Sequence, residues 1–239
     1  MNSFRRLLNP DVPVEYRNTF LHLAFDIGWY GVLAGSAINF LNVYAARLGA
    51  TAFQIGLLGA MAALINLLVA IPAAQWIEKR AVGRAVFWSS VFYRVGFLLW
   101  VPLPWLFNAQ GQIWALIVLA LAMGVPLTAL GVGFNAFFAT IVPPEWRGYV
   151  AGIRNVTQAI TFMLTSLVCG YLLDHVAFPL NYQIVFLIGA FGAGMSSLHL
   201  YFINRGLEKK PLETSHPRRD PTDRIHRNCR AQRIDHRSR

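Results

Sequence analysis

Six apolar stretches, each long enough to cross a lipid bilayer as a helix, dominate this chain of 239 residues. A helix rises about 1.5 Å per residue, so roughly 20 apolar residues are needed to cross about 30 Å of hydrocarbon. Soluble domains carry about a quarter of charged residues, whereas only 13% of this chain is charged. We therefore expect an all-α membrane protein with six transmembrane helices. The predicted spans are Thr19–Ala45, Ala52–Ile77, Ala85–Phe107, Ile113–Val142, Val150–Leu173 and Tyr182–Ile203.

Basic residues outside the spans predict the orientation of the chain. Lys and Arg mark the cytoplasmic side of a membrane protein, and here they gather before the first span, in the second and fourth loops and after the sixth span. Both termini are therefore predicted to be cytoplasmic, with the protein in the inner or plasma membrane. The predicted organisation is a cytoplasmic segment over residues 1–18, a six-helix bundle over 19–204 and a disordered basic tail over 205–239.

The basic tail is polar and rich in proline, and such a segment cannot bury enough apolar surface to fold alone. Two interpretations of it stay open, namely a solvated linker and a segment that contacts anionic lipid headgroups. Nucleic-acid binding is not expected, because no aromatic residues interleave with the basic ones.

Ionisable side chains inside the spans predict where the bundle has a polar interior, because charge is costly in hydrocarbon. Asp26 in the first span and Arg94 in the third lie at depths that fall in the cytoplasmic half of the bilayer. We expect the two side chains to interact, directly or through water, in a cavity open to the cytoplasm. The alternative is that Asp26 reaches the interface while Arg94 binds backbone carbonyls.

Polar residues also form a stripe along the fifth span. Arg154, Gln158, Thr161 and Thr165 follow the spacing i, i+4, i+7 and i+11, which places them on one helix face. The stripe is expected to face a polar pathway, or else to supply hydrogen bonds between helices.

The loops predicted to be cytoplasmic resemble those of the major facilitator superfamily. Between its second and third helices that family carries the signature Gly-x-x-x-Asp-basic-x-Gly-basic-basic. This chain has Glu78 at the acidic position, followed by basic residues and Gly83, although two extra residues precede the glycine. The segment from Gly131 to Gly152 is similar to the end of the family's fourth helix and its loop. By this resemblance the residues of a cytoplasmic gate are Glu78, Lys79, Gly83, Arg84, Glu145 and Arg147, with a simple topological role for Arg147 as the alternative.

The resemblance covers roughly residues 15–205 and implies a three-plus-three inverted repeat, like one half of a twelve-helix transporter. The chain looks like the N-terminal half. Three interpretations stay open, namely a truncated reading frame, a partner of a separate second half, and a chain that forms homodimers.

The function implied is secondary transport of a small solute by alternating access, driven by an ion gradient because the sequence has no phosphate-binding loop. Asp26 would bind a proton or a cationic solute, and Arg94 or Arg154 would attract an anion. A non-transporting membrane scaffold or assembly protein is the alternative. Enzymatic activity, a cofactor and a metal site are not expected, and the expected partners are the lipid bilayer, a small-molecule substrate and a second six-helix half. The predicted pathway residues are Asp26, Asn39, Arg94, Asn135, Arg154, Gln158 and Thr161.

Overall fold

A computed structural model of the protein describes residues 13–209, with the backbone alone for Glu15 and residues 207–209, and every regular element in that part of the chain is helical. The first 12 residues and the tail from residue 210 onward lie outside the described residues, so the predicted disorder of the tail stays a prediction. The helices are α1 (Val14–Leu33), α2 (Asn39–Arg47), α3 (Ala52–Glu78), α4 (Val82–Leu98), α5 (Leu103–Leu106), α6 (Ala109–Ile141), α7 (Arg147–His175) and α8 (Leu180–Lys209).

The first predicted span is one helical rod with a wider turn in its middle. A π-helical segment at Ala34–Ile38 joins α1 to α2 without a break in the helix. The rod ends at Gly49, whose φ of +86° is a left-handed conformation that glycine adopts without strain.

Five helices in the described part of the chain are long and apolar enough to cross a membrane. The predicted third span is not confirmed as one long helix, because α4 has only 17 residues and ends at Leu98. The chain turns ahead of Pro102, since proline disfavours a helical conformation in the residue before it. The five candidate spans are Tyr16–Arg47, Ala52–Glu78, Ala109–Ile141, Pro144–His175 and Leu180–Gly206.

Side chains at the starts of the helices satisfy backbone donors that would otherwise lack partners. Thr51 and Gln54 form a capping box at the start of α3, in which the Thr51 N–H donates to Gln54 Oε1 at 2.9 Å and the Gln54 N–H donates to Thr51 Oγ1 at 3.3 Å. Asn108 caps α6 by accepting a hydrogen bond from the Gly111 N–H at 2.8 Å. The sequence therefore specifies where the second and fourth spans begin.

The pairing of the spans is consistent with a repeat of three. The first span packs against the fifth and the second against the fourth, as α1 with α7 and α3 with α6. The 17-residue α4 packs against α6, and α1 contacts α8 through Trp29 and Phe191. Exchanging α1, α3 and α4 for α6, α7 and α8 in that order converts each of these pairs into another observed pair, as a three-plus-three repeat would require.

Glycines on one face of α1 and in the π-helical segment let the first span approach α7 closely. Gly28, Gly31 and Gly35 follow helical spacing, and a Cβ atom at Gly35 would lie 2.5 Å from the Phe162 carbonyl oxygen. The Gly35 carbonyl also accepts a hydrogen bond from Ser166 Oγ at 3.1 Å. Backbone lies against backbone at this crossing, so no side chain fits between the two helices.

The Gly35→Ala variant is expected to be less stable than the parent protein, because the new methyl group collides with backbone that cannot move aside. Overpacking of this kind costs about 1–3 kcal/mol, and thermal unfolding in detergent would show it as a lower midpoint. Gly152→Ala is the matched control on α7, since a Cβ there meets nothing within 4 Å. An equal midpoint for the two variants would contradict the close crossing.

Candidate functional site

A buried carboxylate on α1 contacts side chains from three other helices, α4, α7 and α8. Asp26 on α1 is only 3% exposed. Its Oδ1 accepts hydrogen bonds from Arg94 Nη2 at 3.4 Å and from Ser196 Oγ at 2.5 Å. Its Oδ2 accepts from Arg154 Nη1 at 3.3 Å. We call Asp26, Arg94, Arg154 and Ser196 the charge cluster. The predicted contact of Asp26 with Arg94 is confirmed as a direct one.

Arg154 ties the cluster to two further parts of the bundle. Its Nη1 also donates to the Leu23 carbonyl oxygen at 2.8 Å, so one nitrogen serves both the backbone and the carboxylate of α1. The guanidinium lies 4.6 Å from the centre of the Phe134 ring on α6, within the range of a cation–π interaction. Arg154 therefore lies inside the bundle as a buried residue.

Arg94 connects the cluster to the sixth span. Its Nη1 donates to Ser197 Oγ at 3.1 Å, and Ser197 Oγ lies 3.2 Å from Ser90 Oγ. The Arg94 Nε is buried and has no hydrogen-bond partner among the described residues. Leaving a buried donor unpaired costs about 1–3 kcal/mol, more for a charged group. The cluster therefore contains one guanidinium whose hydrogen-bonding capacity is not filled.

The charges in the cluster do not balance. Arginine stays protonated in proteins, so two guanidinium cations face the single carboxylate of Asp26. Among the acids whose side chains are described, Glu78, Glu145 and Asp174 are all exposed outside the cluster. Among the described side chains the bundle interior therefore carries one excess positive charge, and burial makes such a charge unfavourable unless an anion compensates it.

Two histidines pair next to the charge cluster, one helical turn away along α1. His22 Nδ1 lies 3.0 Å from His199 Nδ1, so one ring donates and the other accepts. Phe25 stacks on the His199 ring at 5.3 Å between centroids. The sequence alone did not predict this pair, although His22 precedes the buried Asp26 by one helical turn. In the described part of the chain, no three His, Cys, Asp or Glu side chains come together as metal ligands would.

The other predicted pathway residues lie outside the charge cluster. Asn39 is exposed and its amide lies 3.5 Å from Ser166 Oγ. Asn135 is exposed on α6, and Gln158 is half-buried on α7. The Thr161 hydroxyl donates to the Thr157 carbonyl at 2.9 Å and faces Gly31 at the crossing of α1 and α7. The residues of the predicted stripe therefore lie in different surroundings. Arg154 is part of the charge cluster, whereas Thr161 lies at the contact between α1 and α7.

Arg147 satisfies the carboxyl end of α6. Its Nη2 donates to the Ala139 carbonyl oxygen at 2.7 Å and its Nε to the Val142 carbonyl at 3.2 Å. A cation at this position also stabilises the helix dipole. These contacts give Arg147 a structural role at the end of α6, and its gate role stays a prediction.

The remaining predicted gate residues lie at the end of α3, at the start of α4 and in the segment after α6. Glu78, Lys79, Arg84 and Glu145 are exposed. At Gly83, a Cβ atom would lie 2.2 Å from Asn204 Oδ1, so glycine lets α4 approach the sixth span here.

These features define a helical integral membrane protein with a charged interior. The profile of the Major Facilitator Superfamily matches residues 20–233, which is most of the chain. The chain therefore belongs to this superfamily, and the expectation taken from its loops is confirmed. Membership points to a transporter rather than an enzyme. A comparison with curated proteins finds no match.

The Asp26→Asn variant is expected to be the most destabilising single change in the charge cluster, because it leaves two buried cations without a counter-charge. Breaking a buried pair in this way costs about 3–5 kcal/mol. Arg94→Gln should cost less, since it leaves Asp26 paired with Arg154. The double variant should be more stable than Asp26→Asn alone.

Thermal unfolding of the purified variants in detergent measures these differences. Asp174→Asn is the matched control, because Asp174 is exposed at the end of α7 and its change should stay within about 0.5 kcal/mol. If Asp26→Asn behaves like this control, the cluster does not hold the bundle together.

Proposed function

We propose that this chain forms one six-helix half of a secondary transporter and moves a small solute by alternating access. The observation that carries the proposal is the charge cluster, in which side chains from the first, third, fifth and sixth spans meet at one buried carboxylate. A scaffold would gain nothing from burying three ionised groups that apolar residues could replace. A transporter needs such groups to recognise its solute.

The proposed topology has six crossings with both termini in the cytoplasm. The third crossing would consist of α4 together with the turn and the short α5 that follow it. The 17 residues of α4 reach about 25 Å. Trp100 and Leu103 beyond α4 are buried, at 3% exposure each, so the chain stays within the bundle after α4 ends.

The proposed solute carries negative charge. The sequence left open a cationic solute at Asp26 and an anionic one at the arginines. Both carboxylate oxygens of Asp26 already accept hydrogen bonds from Arg94, Arg154 and Ser196, which leaves little capacity for a cation. The excess positive charge and the unfilled Nε of Arg94 favour an anion instead. A carboxylate or phosphate group matches the planar fork of donors that arginine offers.

We propose that binding of the solute is coupled to movement of the helices through competition for the two guanidinium groups of Arg94 and Arg154. An anion bound beside Arg154 would compete with Asp26 for its donors, and a proton on Asp26 would weaken its hold on both arginines. Either event would loosen the contacts between α1, α4 and α7. Those contacts are the ones that must change if the spans are to move relative to one another.

The proposal also includes a second six-helix unit, supplied by a second copy, by another chain or by further sequence of the same polypeptide. Asn39, Asn135 and Asn155 are exposed on the spans. Amide side chains are unfavourable against acyl chains, so we expect these residues to line a pathway against that second unit.

Uptake into proteoliposomes tests the proposal. The probes are lactate, succinate and inorganic phosphate as anions, with choline as the cation. We expect saturable uptake of at least one anion and none of choline. Arg154→Gln should reduce that uptake at least about tenfold, the equivalent of about 1.4 kcal/mol. Gln158→Ala tests the predicted pathway on the fifth span, and Asp174→Asn is the exposed control.

Ligand-induced stabilisation provides a second measurement that does not require a complete pathway. An anion present at about 100 times its dissociation constant raises the free energy of unfolding by about 2.7 kcal/mol. Neither uptake nor stabilisation by any of the anions, or equal effects of Arg154→Gln and the control, would contradict the proposal.

A further inference from the structure

Two imidazole rings meet edge to edge where α1 contacts α8. His22 Nδ1 lies 3.0 Å from His199 Nδ1, whereas the ring centres are 5.2 Å apart. The centres are much farther apart than the nitrogens, so each Nδ1 lies on the edge of its ring that faces the other ring. A separation of 3.0 Å is that of a hydrogen bond. The space between the two nitrogens therefore holds one hydrogen atom.

A metal ion does not fit between these two nitrogens. Zinc lies about 2.0–2.1 Å from each histidine nitrogen that binds it, and two nitrogens that face each other at 3.0 Å leave less than that on either side. Within the described residues, no third His, Cys, Asp or Glu joins the pair as a ligand. The ligand that matches this space is a proton.

The hydrogen bond between the rings requires that they be different tautomers. One neutral ring has its proton on Nδ1 and donates, and the other has its proton on Nε2 and accepts. A further proton can bind the Nε2 of the donating ring, which makes that ring a cation and strengthens the contact. The next proton can bind only the Nδ1 of the accepting ring. It replaces the hydrogen bond by two N–H groups that face each other.

Aromatic rings on both helices flank the two histidines. Phe25 of α1 stacks on the His199 ring, with the centres 5.3 Å apart and the planes inclined by 17°. Phe202 of α8 lies 5.5 Å from the centre of the His22 ring. A cation within about 6 Å of an aromatic centre is attracted by the face of the ring. The surroundings of the pair therefore stabilise one charged imidazole.

The charged side chains that face this end of the contact between α1 and α8 belong to the charge cluster. Ser196, one helical turn before His199, donates to Asp26 Oδ1 at 2.5 Å, and Asp26 itself follows His22 by one turn of α1. The cluster carries one excess positive charge among the described side chains, which adds to the repulsion of a second proton on the pair. The charged groups are Asp26 of α1, Arg94 of α4 and Arg154 of α7, with Arg17 and Arg205 exposed nearer the ends of α1 and α8.

We propose that His22 and His199 form a proton-binding site at the predicted cytoplasmic end of the bundle. The site binds one proton beyond those of the two neutral rings and keeps the rings in contact. In acid it binds a second one, which ends the contact and weakens the packing of α8 on α1. The pair lies about 12 Å along α1 from Val14, and both rings are half-buried rather than enclosed. This site does not depend on the solute or on the transport proposed above.

The ring ¹⁵N chemical shifts of the full chain, labelled at histidine and purified in detergent, test the site. At high pH we expect His22 and His199 to be neutral and of opposite tautomer. As the pH falls from about 8 to about 5, the two rings should titrate together in two steps that differ by at least about one pH unit.

The His22→Asn and His199→Asn variants assign the signals, and in each variant the remaining ring of the pair should titrate in one step. His175 is the internal control for a single step, since it is exposed at the end of α7. Two rings of the same tautomer, or independent single steps at His22 and His199 in the parent chain, would overturn the proposal.

Thermal unfolding at about pH 8 and about pH 5 measures the effect on the fold. The parent chain should lose more stability in acid than His199→Asn, because the folded pair resists a second proton that the unfolded chain binds freely. A tenfold weaker affinity for that proton corresponds to a midpoint lower by roughly 3–5 °C.

Asparagine is the chosen replacement because its amide lies at the level of Nδ1 and forms hydrogen bonds without a titratable ring. His22→Asn should show the same smaller loss as His199→Asn, and it serves as the second variant if one of them folds poorly. His175→Asn is the matched control and should lose as much stability in acid as the parent. Equal losses in the parent and in both variants of the pair would overturn the proposal.

Discussion

The bundle depends on one buried carboxylate that contacts two arginines and offsets the charge of one of them. Asp26 contacts Arg94 at 3.4 Å and Arg154 at 3.3 Å, and all three groups are buried. A protein in which apolar residues of similar volume replace a whole group of buried charges is often as stable as its parent, or more stable. Their presence therefore constrains function more than stability, because each partner comes from a different span and any relative motion of the spans must change these contacts.

The charge cluster in turn requires that the first span lie very close to the fifth. Arg154 Nη1 reaches both the Leu23 carbonyl at 2.8 Å and the Asp26 carboxylate, and this is possible because glycines at the next turns of the first span leave no side chains between the helices. Gly31 and Gly35 lie against the backbone at Gln158 and Phe162. The close crossing and the buried ion pairs are therefore one arrangement, in which small residues bring the helices near enough for long polar side chains to meet.

The sequence predicted the fold class and one contact of the site, because those depend on strong and local signals. Long apolar stretches predict helices directly, and two opposite charges at similar depth predict an ion pair. The contact between Ser196 and Asp26, and the pairing of His22 with His199, depend on the rotation of the sixth helix relative to the first. A single sequence does not contain that rotation. The third predicted span is not one continuous helix, because the chain turns between Leu98 and Leu103, ahead of Pro104 and around Pro102.

Small residues have opposite consequences in two parts of this bundle, depending on what fills the space beside them. Along the first span they bring backbones into contact and bury charge. At Gly96 the Met123 side chain fills the space beside the glycine. Around Ala73 and Ala85 the neighbouring helices instead leave an open groove. A helix interface closes where a partner side chain or backbone is available, and a groove remains where none is.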